Sequence, residues 1–226
     1  MKLAMTMREL RDILISVIVL GFIFSFRNWE PIDAGVSNLI SATLLVGIAY
    51  AVHELGHKIS AEAYNCSAEF VLWPKALLLS LAVTVLTKGR LILAVPGYIA
   101  ISTAYFTRIG FKYINVSNEE YGKIASAGPI LNLFSAFVFK ALEGVLSPSL
   151  TASAISINTL IAVFNLLPLP PLDGSRVLAW SRIVWMVLMA ASILLAVLLP
   201  LMSIFFSLVF IIPLVIVIFI LGQNIR

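Results

Sequence analysis

Runs of about 20 apolar residues, separated by basic residues and prolines, recur along this chain of 226 residues. Such a run matches the hydrocarbon width of a bilayer, where only helices and closed barrels satisfy every backbone polar group. The runs at residues 10–26, 37–63, 124–146, 150–167, 177–199 and 201–221 read as transmembrane helices. Pro148 and Ser149 divide the third from the fourth, Pro168-Leu169-Pro170-Pro171 closes the fourth, and Pro200 closes the fifth. Pro213 puts a kink in the sixth. No small-x-small cleavage site follows the first run, so an uncleaved span is expected rather than a signal peptide. Composition agrees, with 61% hydrophobic and 12% charged residues. These values exclude disorder and a soluble globular domain. The single cysteine, Cys66, excludes an internal disulfide. Basic residues spread over loops leave no nucleic-acid footprint, so no nucleic-acid partner is expected.

The expected fold is an all-α polytopic membrane protein of about six transmembrane helices, one domain over residues 1–226. The segment 58–123 differs from the rest. Its apolar runs, 76–86 and 91–95, are short and separated by Lys75, Lys88 and Arg90. They predict a short membrane-associated β or re-entrant element between helices two and three. Residues 67–73 and 90–95 are rich in strand formers, and Pro96-Gly97 reads as a turn.

Lysine and arginine counts set the expected orientation. Lys2, Arg8 and Arg11 precede the first span, whereas only Arg27 follows it. Lys58, Lys75, Lys88, Arg90, Arg108, Lys112 and Lys123 follow the second, and Arg176 follows the fourth. The bias predicts a multi-pass cell-membrane protein with both termini cytoplasmic.

The second span contains His53-Glu54-Leu55-Gly56-His57, and these are the only two histidines in the chain. Histidines at i and i+4 share one helical face, so both can bind one Zn²⁺, and the intervening glutamate can act as a base toward water. A buried pair satisfied by polar neighbours is the competing explanation. Polar groups this costly inside an apolar helix are functional by default. A catalytic zinc takes a third protein ligand. Later in the chain the carboxylates near a span are Glu143 and Asp173. The charge bias puts Glu143 on the outer side. His53 lies about 16 residues into its helix, or about 24 Å. That depth puts His53, His57 and Asp173 together in the cytoplasmic half, with one zinc per chain. A turn aspartate is the alternative for Asp173, which precedes Gly174.

The HELGH run, together with Asn165-Leu166-Leu167-Pro168-Leu169-Pro170-Pro171-Leu172-Asp173-Gly174 in a later span, resembles the site-2 protease family of intramembrane zinc metalloproteases. Ala127-Gly128-Pro129-Ile130-Leu131-Asn132 resembles a further element of that family. The likeness covers about residues 37–180; the helices at 10–26, 177–199 and 201–221 correspond to the family's variable periphery. It implies His53, His57 and Asp173 as zinc ligands and Glu54 as general base. It also implies Asn165 as a catalytic helper at the substrate carbonyl and Asn132 as a polar lining residue. The implied activity is zinc endopeptidase hydrolysis within transmembrane segments of other membrane proteins, which are the expected partners together with the lipid bilayer. Members with PDZ or CBS domains differ from this chain, which is expected to be a minimal prokaryotic form.

An interhelical hydrogen bond is the plainer role for Asn165 and Asn132. For substrate capture, the strand-like residues 90–97, with Pro96 and Gly97 lining the site, could add a strand to an unwound substrate beside residues 67–73. An interfacial anchor around Trp73-Pro74-Lys75 is the alternative. Two other functions compete. A membrane-anchored zincin would act on exposed peptides. A metal transporter or sensor would need further ligands along a path, and the chain has no spare histidine.

Overall fold

The computed structural model describes residues 5–27, 32–107, 110–113 and 115–202. The chain opens with α1 (Met7–Ser25) and α2 (Ile32–Ala63), followed by β1 (Ser67–Leu72), α3 (Pro74–Leu86), β2 (Gly97–Ser102), β3 (Ala104–Thr107) and β4 (Gly110–Tyr113). Helices α4 (Asn118–Ala141), α5 (Pro148–Asn165), α6 (Asp173–Trp180) and α7 (Arg182–Leu198) complete it. The fold is mostly helical. Helices α2 and α4 are long and apolar enough to cross a membrane. The expected sixth span and Pro213 lie outside the described residues.

Local chemistry sets the helix ends. Thr6 accepts from Glu9 N at 3.1 Å to open α1. Ser117 and Glu120 form a reciprocal capping box on α4. Ser147 caps α5 with Pro148 at its first position. The expected fifth helix, 177–199, is two helices. Ser181 is extended, ends α6 and accepts from Val184 N to start α7.

Helix α2 packs between α1 and α4, and α5 lies against α2, α4 and α7. Leu20, Val46, Ala49, Ile157 and Ile161 bury one seam. Leu133, Ile155, Leu188 and Leu195 bury the other. The outward faces stay apolar, with Leu44, Ile48, Ile59, Phe134, Ile183 and Val197 exposed. Water does not favour such a surface; lipid does.

The segment between α2 and α4 holds strands, as expected, but with a different second strand. β1 pairs antiparallel with β2, from Ser67↔Ser102 to Leu72↔Gly97. Residues 90–95 are irregular. The chain leaves α3 through Lys88 and Gly89, both at positive φ (53° and 71°), and Thr87 Oγ1 holds Leu91 N at 3.1 Å. Trp73 N then bonds Pro96 O at 2.8 Å, which starts the ladder at Gly97. Pro96-Gly97 is therefore the strand entry rather than a turn. A side chain at Gly97 would collide with the Phe70 ring and the Val71 carbonyl. The apolar run 76–86 belongs to helix α3. β3 and β4 form a separate two-stranded antiparallel sheet.

Helix α1 occupies the edge of β1 away from β2. Glu9 Oε1 accepts from Phe70 N at 3.1 Å, and Asp12 Oδ2 from Leu72 N at 3.4 Å. Lys58 of α2 donates to Ala68 O at 3.2 Å and pairs with Glu9 at 2.8 Å. No strand pairs with the far edge of β2 among the described residues.

Candidate metal centre

The spacing of His53 and His57 stacks both imidazoles on the side of α2 that faces α4. Helix α4 approaches closely because two small residues meet there. A Cβ on Gly56 would strike the Ala127 carbonyl, and one on Gly128 would strike both imidazoles. Gly128, adjacent to Pro129, is thus a clearance for the histidines as well as part of a bent helix start. Asp173 arrives from the other side. Helix α5 ends at Asn165, and residues 166–172 fold back so that Asp173 opens α6. Gly174 has no room for a side chain against the Leu166 and Leu167 carbonyls, which fixes that return.

Three donor atoms converge. His53 Nε2 and His57 Nε2 stand 3.1 Å apart, and Asp173 Oδ2 lies 3.3 Å from the first and 3.2 Å from the second. All three side chains are buried. Ligands about 2.0 Å from a tetrahedral zinc stand about 3.3 Å from one another, so this triangle fits one zinc with its fourth position left over. Nitrogen, nitrogen and carboxylate oxygen are a zinc donor set. Glu143 is elsewhere, pairing with Lys140 at 2.6 Å on the surface.

The remaining ring nitrogens are engaged. His57 Nδ1 donates to Ile124 O at 2.9 Å, and His53 Nδ1 to Asn132 Oδ1. Those bonds place the protons on Nδ1 and leave both Nε2 lone pairs free for metal. Asn132 is itself held, its Nδ2 donating to Ala49 O and to Asn158 Oδ1, both at 3.0 Å. Asn158 Nδ2 in turn donates to Ala154 O at 2.9 Å. The sequence reading made Asn132 a lining residue; its contacts make it the support of a ligand. Asn158 was missed, although an amide in the middle of an apolar helix is signal enough to have singled it out.

Glu54 is buried beside His53, and its Oε2 has no hydrogen-bond partner among the described residues. Asn165 is buried at the end of α5, its Nδ2 donating to Ile161 O at 2.9 Å within its own helix. Pro96 and Gly97 lie one layer further out. The Phe70 ring, which Gly97 accommodates, packs edge-on against Tyr50 at 6.1 Å.

A His-His-carboxylate triangle with an adjacent buried glutamate, on a helical frame, is the site of a zinc metallopeptidase. The sequence is 35% identical over 183 residues to a protein of Methanocaldococcus jannaschii named a "putative zinc metalloprotease", covering 79% of this chain and 87% of that protein. The chain belongs to that family of zinc metalloproteases, and zinc is its metal. No family model matches the chain, and no solved structure matches it.

Proposed function

We propose that this protein is an intramembrane zinc endopeptidase of the site-2 protease type, cutting membrane-embedded segments of other proteins. The observation that carries this reading is the location of the zinc triangle. Two of its ligands belong to α2, itself a helix apolar and long enough to cross a bilayer. The apolar outward faces of the neighbouring helices support the same reading. We take the chain to cross the membrane about six times, termini and active site toward the cytoplasm.

When bound, zinc supplies a Lewis acid that polarises the scissile carbonyl and acidifies water. Glu54 takes the proton of the attacking water at its Oε2, which has no partner among the described residues, and delivers it to the leaving amine. Asn132, held by Asn158, keeps the His53 ring in one tautomer and orientation. Asn165 assists at the carbonyl from the end of α5. Burial of the cluster excludes bulk water, which strengthens each of these interactions. Strand capture of the substrate, expected at 90–97, fits better at the edge of β2 that no described strand pairs.

The test compares purified wild type with Glu54→Gln on a synthetic transmembrane peptide in detergent and in liposomes. Glu54→Gln should abolish cleavage and keep its zinc. Cleavage at the wild-type rate would sink the reading. Zinc flux into liposomes without proteolysis would favour transport.

A further inference from the structure

Helix α2 carries two buried polar atoms with no partner among the described residues: Tyr50 Oη and Glu54 Oε2. They are four residues apart, so they lie on one face, one turn apart. Tyr50 is 2% exposed. Its ring is fixed from two sides, 6.1 Å from the His53 ring and 6.1 Å from the Phe70 ring. The Asn165 side chain reaches its hydroxyl without forming a hydrogen bond of good geometry, and the charges of Glu54 and Asp173 act on it from further off. Buried hydroxyls almost always have a partner, and each exception calls for an explanation. A phenylalanine would fill the same space with the same ring contacts, so packing does not account for the oxygen.

We propose that Tyr50 is a catalytic residue, its hydroxyl donating a hydrogen bond to the scissile carbonyl oxygen as that oxygen becomes an anion. This inference rests on the peptidase reading above. As water adds, its oxygen bonds the carbonyl carbon, the carbonyl π electrons move onto oxygen, and the released proton goes to Glu54. As the C–N bond breaks, its electrons go to nitrogen, which takes the proton back from Glu54. Tyr50 keeps its own proton throughout and stabilises charge only where it develops.

The test uses the full chain with zinc bound, as wild type, Tyr50→Phe and Glu54→Gln. Loss of one such donor lowers kcat by about 100-fold with KM changed less than about twofold. Zinc content and the unfolding midpoint of Tyr50→Phe should match wild type. A phosphinic peptide, whose tetrahedral oxygen mimics the anion, should bind Tyr50→Phe more weakly by about the same factor as kcat. Wild-type turnover by Tyr50→Phe, with Glu54→Gln inactive, would overturn the Tyr50 role and leave the peptidase reading standing. Wild-type turnover by Glu54→Gln would remove the peptidase reading itself. A slower Tyr50→Phe that has also lost zinc or stability would make Tyr50 structural and overturn the proposal.

Discussion

Asn132 separates metal binding from helix packing, because the two halves of its amide serve different partners. Its Oδ1 accepts from His53 Nδ1, whereas its Nδ2 donates to Ala49 O and Asn158 Oδ1. Asn132→Ala removes both halves. Loss of a hydrogen-bond partner behind a zinc-bound histidine weakens the metal by about 10- to 100-fold, or about 1.4–2.7 kcal/mol. The buried Asn158 Oδ1 also loses its donor, which costs about 1–3 kcal/mol of stability. Asn132→Asp keeps an acceptor for His53 but turns an acceptor toward Asn158 Oδ1 and Ala49 O. It should hold zinc at least as tightly as wild type while unfolding at a lower temperature. Zinc affinity is read by competition with a chromophoric chelator in detergent, and stability by thermal unfolding of the zinc-free protein. If Asn132→Ala bound zinc within about twofold of wild type, the chain from α5 through Asn132 to His53 would have no hold on the metal.

Two further predictions concern the frame. Gly128→Ala forces a methyl against both imidazoles and should cost about 1–3 kcal/mol, seen as weaker zinc affinity; unchanged affinity would mean that α4 can withdraw freely. Lys58→Met leaves Glu9 buried without its cation and should lower stability by about 3–5 kcal/mol, whereas Glu9→Gln added to it should recover much of the loss in thermal unfolding.

The metal ligands were legible because i and i+4 is a geometric statement about a helix, and because the chain offers two histidines and few carboxylates to complete the set. Helix positions were legible because apolar length is local. What depended on pairing was not. Residues 90–95 have strand-forming side chains, but the ladder starts where Pro96 O meets Trp73 N, a contact that propensity does not encode. The break at Ser181 was hidden because no glycine or proline marks it. Tyr50 passed for one more apolar position, since only the surroundings show that its hydroxyl has no hydrogen bond of good geometry among the described residues. Glu9 and Asp12 looked like the charged flank of a first span, yet both are buried against a strand reached through more than 50 residues of intervening chain.

Those two carboxylates also give the small sheet a handedness of use. An isolated pair of strands offers two templates, and an extended guest could settle on either, in either direction. With Glu9 and Asp12 on the amides of Phe70 and Leu72, and Lys58 on the carbonyl of Ala68, one template is spent within the molecule. Copies of the protein are denied an edge-to-edge contact there, since charged side chains at an edge oppose pairing. Under the proposed strand capture, a guest would be left with one lane, the β2 edge that no described strand pairs, and its register would be set relative to Gly97 and, through Phe70 and Tyr50, relative to the zinc ligands.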